Sequence, residues 1–406
     1  MERRVVITGV GLITPGGDLA HVWDTLLDGQ SMAQHITSFD ASVYLNDHAG
    51  IIDETDAFSP FSSRLLKRMD RFGCLTMAAA HQALQDSGLD IDLLERSTVG
   101  TYIGNMYGGW GITDPSLRRL LIEGYREVSP YVASAWFPTA PQGQIAIHWG
   151  FKGFGKTVIA DTASSALSIG YAARAIQEGR ANVMIAGGAE SPITPYTYTF
   201  CERSGRVSPN SYQVFDAESS GFLVGEGAVL VVLEEMEAAL QRHAHIYAEI
   251  AGWATGYLPQ FDTPWHDEGK RFTRLIWQAL EDAKTPADDI DYIGLDAQGC
   301  VEADNSEALA LERVFGAVSS PAATTCKPVL THLLGAAAAA ELVTALLAMQ
   351  QNIIPPVTAS SMRNDALSLN LIAEQPRQVN VQTALINARG ADGVQAAIVL
   401  KKVQMN

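Results

Sequence analysis

The chain has 406 residues, of which 47% are hydrophobic, 18% charged and 35 glycine; this excludes a disordered or fibrous protein and points to a compact α/β protein, too long for one simple core and short for three domains. The formal net charge of -17, from 45 acidic and 28 basic residues, excludes nucleic acid and anionic membrane surfaces as default partners, because basic clusters such as "RRL" at 118–120 are isolated. Cys74, Cys201, Cys300 and Cys326 are scattered, with no C-x-x-C pair and no metal-ligand spacing, so a reduced, cytoplasmic protein with no metal site is expected. The opening "MERRVVITGVG" enters a strand at once and is expected to leave no room for a signal peptide, and no apolar run is expected to be long enough to span a bilayer.

In chain order, the strand Arg4–Thr8 is followed by the glycines of "GVGLITPGG". A dinucleotide fingerprint fails here, because its third glycine position holds Thr14 and Pro15 follows, so a structural strand-to-loop turn is the better reading. Next come helices over His21–Leu27 and Lys67–Gly88, the strand Thr98–Ile103 and a long insertion, Asn105–Gly150. The strand Thr157–Ala160, the helix Ala166–Glu178 and the strands Asn182–Gly187 and Ala228–Glu234 complete the first part. A second part starts near His245 with "IYAEIAGWATG". It continues through the helix Lys270–Ala283, the strand Tyr292–Ala297, the helix Ser306–Phe315, the strand at 323–326 and the alanine-rich helix Leu333–Met349. Two strands, "TALINA" and "VQAAIVLKKV", close the chain. Strand–helix alternation predicts layered α/β packing. The repeated rough order hints at duplicated halves, 1–245 and 246–406, although no strong sequence repeat accompanies it.

The stretch "VIADTASSALSIGYAARAI", Val158 to Ile176, takes an apolar strand through a tight turn of small residues into a helix. Enzymes mount nucleophiles at such corners, because a helix N-terminus offers unpaired N–H groups and a positive dipole end that activate a thiolate. Here the corner falls on Asp161-Thr162-Ala163, with no cysteine and no Gly-x-Ser-x-Gly. The Thr162 hydroxyl would need a general base within reach. Ser164 and Ser165 lie inside the first helical turn, where capping or close packing is the expected role.

At this point the chain resembles the β-ketoacyl synthases of fatty acid and polyketide synthesis. The likeness rests on "VVITGVGLITPGG", "IGYAARAIQEGRANVMIAGGAES", "FDAESSGFLVGEGAVLVVLEE", "TTCKPVLTHLLGAAAAAELV" and "NIIPPV", and it covers almost the whole chain. The resemblance implies a thiolase-like fold, with duplicated halves in a five-layered α-β-α-β-α arrangement. It also implies a site in which an elbow cysteine carries the acyl chain and two histidines, supported by a lysine and a glutamate, act on a malonyl thioester. Carried over by position, the cysteine falls on Thr162 and the first histidine on Gln298. The second histidine is His332, the lysine Lys327 and the helical glutamate Glu341, with Asp304 and Glu307 as the acidic pair. After His266 the chain contains one histidine, His332, so a two-histidine site cannot be assembled from the second half. The gating phenylalanine of the loop near the C-terminus is replaced by Ala391. Losing one enolate-stabilising donor typically costs about a hundredfold to a thousandfold in rate, and losing the nucleophile removes the covalent route, so no catalytic residue is assigned.

One branch of the family is similar in these losses: the chain length factor, or β subunit, of type II polyketide synthases. The stretches at 128–153 and 204–208 and the "A-R-G" loop resemble that branch, although many of its members have glutamine at the elbow where this chain has Thr162. The resemblance implies a heterodimer with an active ketosynthase α subunit. It implies no bound cofactor, substrates carried on acyl carrier protein phosphopantetheine, and a tunnel at the interface whose far end this chain closes. Trp110, Thr113 and Leu117 fall on one helix face by spacing, with Pro115 weakening that helix, and they align with the gating positions; Tyr196 and Tyr198 align near another tunnel-lining aromatic. The acidic chain suits a subunit that leaves acyl carrier protein docking to its partner. On this reading the chain alone is not catalytic within an acyltransferase complex. Two alternatives stay open: a stand-alone malonyl-thioester decarboxylase or acyltransferase using Thr162 or a serine, and a purely structural partner subunit.

Overall fold

The computed structural model describes residues 3–53, 56–258, 269–317, 320–357 and 368–403. Among them, ten strands form one mixed sheet. The first five are β1 Val5–Ile13, β2 Val99–Gly104, β3 Gly155–Val158, β4 Val183–Glu190 and β5 Gly227–Glu235. The second five are β6 Ala248–Tyr257, β7 Tyr292–Gly294, β8 Ala322–Thr324, β9 Thr383–Arg389 and β10 Val394–Lys401. Their spatial order is β8-β7-β9-β10-β6-β1-β5-β4-β2-β3.

This order is the same motif written twice. Moving outward from β1, the chain uses its first, fifth, fourth, second and third strands; moving outward from β6, it does the same. In each half the first two pairings are antiparallel and the last two parallel. The halves meet where β1 and β6 pair antiparallel, Val6 opposite Glu249 and Ile7 opposite Ala248.

Helices Ser164–Gln177 and Ala337–Gln351 lie between the halves, packed on each other and on strands of both. The helix Arg71–Asp86 covers the outer face of the first half and Lys270–Asp282 that of the second. This is the expected five-layered, thiolase-like α/β arrangement. Strands covered on both faces become continuous apolar runs, as in β5, "GAVLVVLEE", buried from Gly227 to Glu234.

The alanine-rich helix follows from the same packing. It is buried over Ala337–Met349, and its small side chains let it lie between the two halves of the sheet while remaining apolar all round. The segment Leu334–Gln351 has the length and mean hydropathy (18 residues, 1.2) to cross a membrane, yet 89% of it is buried inside the protein. The expectation that no run reaches that length is thereby corrected: the apolarity serves the core.

Several boundaries move. The first strand extends to Ile13, and its glycines serve helix packing: a Cβ on Gly9 would lie 2.2 Å from the Ala83 carbonyl oxygen, and one on Gly11 2.0 Å from that of Ala79. The helix expected over Lys67–Gly88 breaks at Asp70, whose side chain caps Arg71–Asp86 by accepting from Phe72 N. The insertion folds into helices Trp110–Ile122, Val132–Trp136 and Ala140–Trp149. The helix expected from Ser306 starts at Val301.

Candidate functional site

The corner after β3 turns at Asp161, which adopts a left-handed φ of 47°, a region that aspartate tolerates better than most residues. Its carboxylate is fixed by Arg206 through two contacts of 2.9 and 3.1 Å, and by the Ala391 N–H at 2.6 Å. Beneath this pair lies Thr162, 2% exposed. Its hydroxyl donates to the Arg389 carbonyl at 2.7 Å and accepts from Gln298 Nε2 at 3.3 Å. Neither partner is a base, so the proton has nowhere to go and the oxygen is held as a structural donor. Ser164 bonds the Ala160 N–H and the Asn105 and Asp161 carbonyls, while Ser165 accepts from Ala339 N of the opposing central helix. Both serines are therefore structural: Ser164 ties the turn to its neighbours, and Ser165 ties the two central helices together.

The second half supplies the floor. Gln298 Nε2 also donates to Asp296 at 3.1 Å and to the Arg389 carbonyl at 3.0 Å. Asp296 accepts from Arg389 Nε at 3.0 Å, and Lys327 Nζ bonds the Asp296 carbonyl and lies 3.8 Å from its carboxylate. Arg389 reaches on to Glu307 at 3.4 Å, and Glu307 also takes the N–H groups of Asp296 and Ala297 and the Asn387 amide. Asp304 accepts from Phe215 and Gly299 N–H groups, and burial, reinforced by nearby Glu307, pushes its carboxyl up to about 7. Burial is tolerated because charges of both signs are paired and hydrogen-bonded.

His332 is fully buried between Phe222 and Tyr212, ring centroids at 4.5 and 6.3 Å. Its Nδ1 accepts from Leu334 N at 3.0 Å, which leaves the proton on Nε2, and Nε2 has no hydrogen-bond partner among the described residues. Burial, with the Lys327 and Arg206 cations, holds this imidazole well below its ordinary value, so it is neutral. Glu341 accepts from Thr325 and from Cys326 N–H, and burial raises it to about 7 against the pull of Lys327. Among the described residues, the arrangement offers one neutral imidazole donor and brings neither a thiolate nor a second imidazole to it.

Above the corner, a cavity of about 560 Å³ is lined by residues that include Met106, Asp161, Arg206, Gln298, Cys300 and Ala391. Thr162 is not part of that lining. The structure thus brings Thr162, Gln298 and Lys327 into one network, joined by Asp296 and Arg389, with Glu341 beside the lysine and His332 packed alongside through Tyr212, whose hydroxyl bonds the Ala297 carbonyl. Asp296, Arg389, Arg206 and Asp161 were missed by sequence reasoning. A lone arginine ending the apolar strand "TALINAR" was the available signal, since a charge in such a strand must find a buried partner.

The five aromatic-region positions divide. Trp110 stacks on Tyr196, ring centroids 4.0 Å apart and planes 19° apart, and its indole N–H bonds the Tyr107 carbonyl. Thr113 is buried, its hydroxyl bonded to the Gly109 carbonyl, while Leu117 is 37% exposed. Asp114 ties the two helices by accepting from Tyr196 N at 3.1 Å. Tyr198 does not join them: it is fully buried against Phe39 and Tyr44, with its hydroxyl on the Asn46 and His48 carbonyls. Two positions apart on a helix, Tyr196 and Tyr198 face different ways.

Comparison with known proteins gives a consistent result. The family model for the β-ketoacyl synthase N-terminal domain matches residues 2–239, and that for its C-terminal domain matches residues 247–360. Over 405 residues the chain is 34% identical to the actinorhodin polyketide putative beta-ketoacyl synthase 2 of Streptomyces coelicolor, covering 98% of each. It is 31% identical to 3-oxoacyl-[acyl-carrier-protein] synthase 2 of Coxiella burnetii, covering 99% of each. Among solved structures it is similar to the ishigamide ketosynthase/chain length factor, with a TM-score of 0.92, 27% identity and 100% of both chains covered.

Proposed function

The chain belongs to the β-ketoacyl synthase family, and on that premise we propose that it is a chain length factor: a non-condensing subunit that pairs with an active ketosynthase in polyketide synthesis. The observation that carries this reading is the state of Thr162. Its hydroxyl is committed as a donor to a backbone carbonyl, beneath the Arg206–Asp161 ion pair, with an amide where a condensing site needs an imidazole. We read residues 1–245 and 246–406 as its two ketosynthase-like halves, and Gln298, Lys327, His332 and Glu341 as remnants kept by packing.

The partner contact is supported by large apolar side chains that the chain leaves exposed, among them Leu121, Ile122, Ile147 and Ile159, since apolar surface left in water favours association. Trp110 and Tyr196 together form a stacked aromatic wall, with Leu117 two helical turns further along the Trp110 helix. In the proposed heterodimer this wall closes the tunnel into which the acyl chain grows from the partner's cysteine, on substrates delivered by acyl carrier protein.

The experiment uses the chain co-expressed with its ketosynthase. Trp110→Ala removes the larger half of the stacked pair, and the product distribution is expected to shift toward longer chains at comparable total yield. The isolated chain should neither condense nor turn over malonyl thioester. Unchanged product lengths would reduce it to a structural partner; turnover by the isolated chain that disappears in Thr162→Ala would make it an enzyme in its own right.

A further inference from the structure

The strands Ala33–His35 and His48–Gly50 form a two-stranded hairpin far in sequence from the corner at Thr162, with His35 directly opposite His48. Asp47 lies between the two imidazoles: its carboxylate is 3.2 Å from His35 Nδ1 and 2.7 Å from His48 Nδ1. The ligand-bearing atoms of all three residues lie within 4.8 Å of one another. We propose that His35, Asp47 and His48 hold a divalent cation of the zinc type, with both Nδ1 atoms and one carboxylate oxygen as ligands and water completing a tetrahedron.

The chemistry selects the ion. Two imidazoles and one carboxylate suit zinc and its neighbours, whereas calcium and magnesium require more oxygen ligands. Bonds of about 2.0–2.2 Å at a tetrahedral ion place ligand atoms about 3.4 Å apart, which small rotations of the two exposed rings achieve. The backbone beneath is already fixed. Tyr198 Oη bonds the Asn46 and His48 carbonyls, Ile36 N–H bonds the Asp47 carbonyl, and His48 N–H bonds the Asn46 side chain. Asn46 is itself anchored to the Ser208 and Asn210 carbonyls. A groove of about 620 Å³, lined in part by Tyr44, Asn46, Asp47, His48 and Asn210, runs beside the cluster and leaves room for the water ligand. The ion would fix both ends of the 36–47 segment, which rests on the helix Pro195–Arg203 through Tyr44 Oη on the Pro195 carbonyl and Leu45 N–H on Glu202.

The test uses the full-length chain, free of any histidine tag and stripped with chelator. Titration with Zn²⁺ by calorimetry should show one tight equivalent, and Co²⁺ should give the visible absorption of a tetrahedral site. His35→Ala and His48→Gln should each weaken Zn²⁺ binding at least about tenfold and abolish the Co²⁺ bands. The metal-free variants should match the parent in circular dichroism and thermal midpoint, which separates loss of a ligand from loss of the fold. Absence of Zn²⁺ binding by the parent would overturn the proposal, as would binding and Co²⁺ absorption that persist undiminished in the variant combining His35→Ala, Asp47→Ala and His48→Ala.

Discussion

The polar centre around Asp296 and the aromatic wall at Trp110 stand at opposite ends of the packing scale. Around Asp296, Arg389, Glu307, Lys327 and His332 are all at most 2% exposed, and the carboxylates and cations meet named partners at fixed distances. At the wall, Trp110 and Tyr196 hold each other by stacking, Tyr196 is 39% exposed, and Leu121 nearby is 85% exposed. Removing Arg389, Asp296 or Glu307 from the first region strands a buried charge; the stacked rings of the second carry no charge to strand. On the proposed reading Lys327 and Glu341 are held by this packing, Lys327 on the Asp296 carbonyl and Glu341 on Thr325 and Cys326.

The hardest test of that contrast is Arg389→Met. Removing the guanidinium leaves Asp296 and Glu307 buried without their main cation, and such losses cost about 3–5 kcal/mol. Urea unfolding should show this loss; a loss below about 1 kcal/mol would mean that the centre is not structurally essential.

Glu190 lies beneath the wall. It is fully buried, accepts from Met106 and Tyr107 N–H groups, and Tyr107 in turn accepts the Trp110 indole. Burial pushes its carboxyl up to about 8 from an ordinary 4.5. The folded chain thus keeps this proton up to about pH 8, while the unfolded chain releases it near 4.5. Stability must fall as pH rises through that window, by an amount on the order of 5 kcal/mol. Glu190→Gln, which stays neutral, should flatten the decline in thermal midpoint between pH 6 and 9, and an unchanged slope would assign the pH dependence to other groups. Asp304 and Glu341, both raised to about 7 by burial, act in the same direction below that.

The smallest effect is expected at the most conspicuous position. Thr162→Ala removes a hydroxyl whose acceptor, the Arg389 carbonyl, keeps Gln298 Nε2 as a donor at 3.0 Å. The expected loss is under about 1 kcal/mol, with no change in the product yield of the proposed heterodimer. A large fall in yield with the fold intact would contradict the reading of the centre as inert.

Much of the fold was legible. Apolar strands and helix periods located most of the elements, and countable facts located the departures from the expected site: threonine at the corner and a single histidine after residue 266. Less of the site was legible. Asp296 stands two residues before Gln298, yet nothing local announces that it binds Arg389, 93 residues away. Tyr198 was grouped with Tyr196 because alignment gives neighbourhood; the helix then turned its ring into the core. The hairpin histidines carried no signal at all, since His35 and His48 become neighbours through strand pairing.

The sequence by itself determined the layered α/β class and which reactive groups the chain lacks, because apolar periodicity and residue identity are local properties. Only the tertiary structure decided that the Thr162 hydroxyl is bound to a carbonyl 227 residues away, that Arg206 and Asp161 meet above it, and that Trp110 lies on Tyr196. Those pairings depend on how two five-stranded halves join at Val6 and Ile7 and on the helices clamped between them. A contact across hundreds of residues is set by the topology that closes the loop between them, and no local stretch of chain encodes that closure.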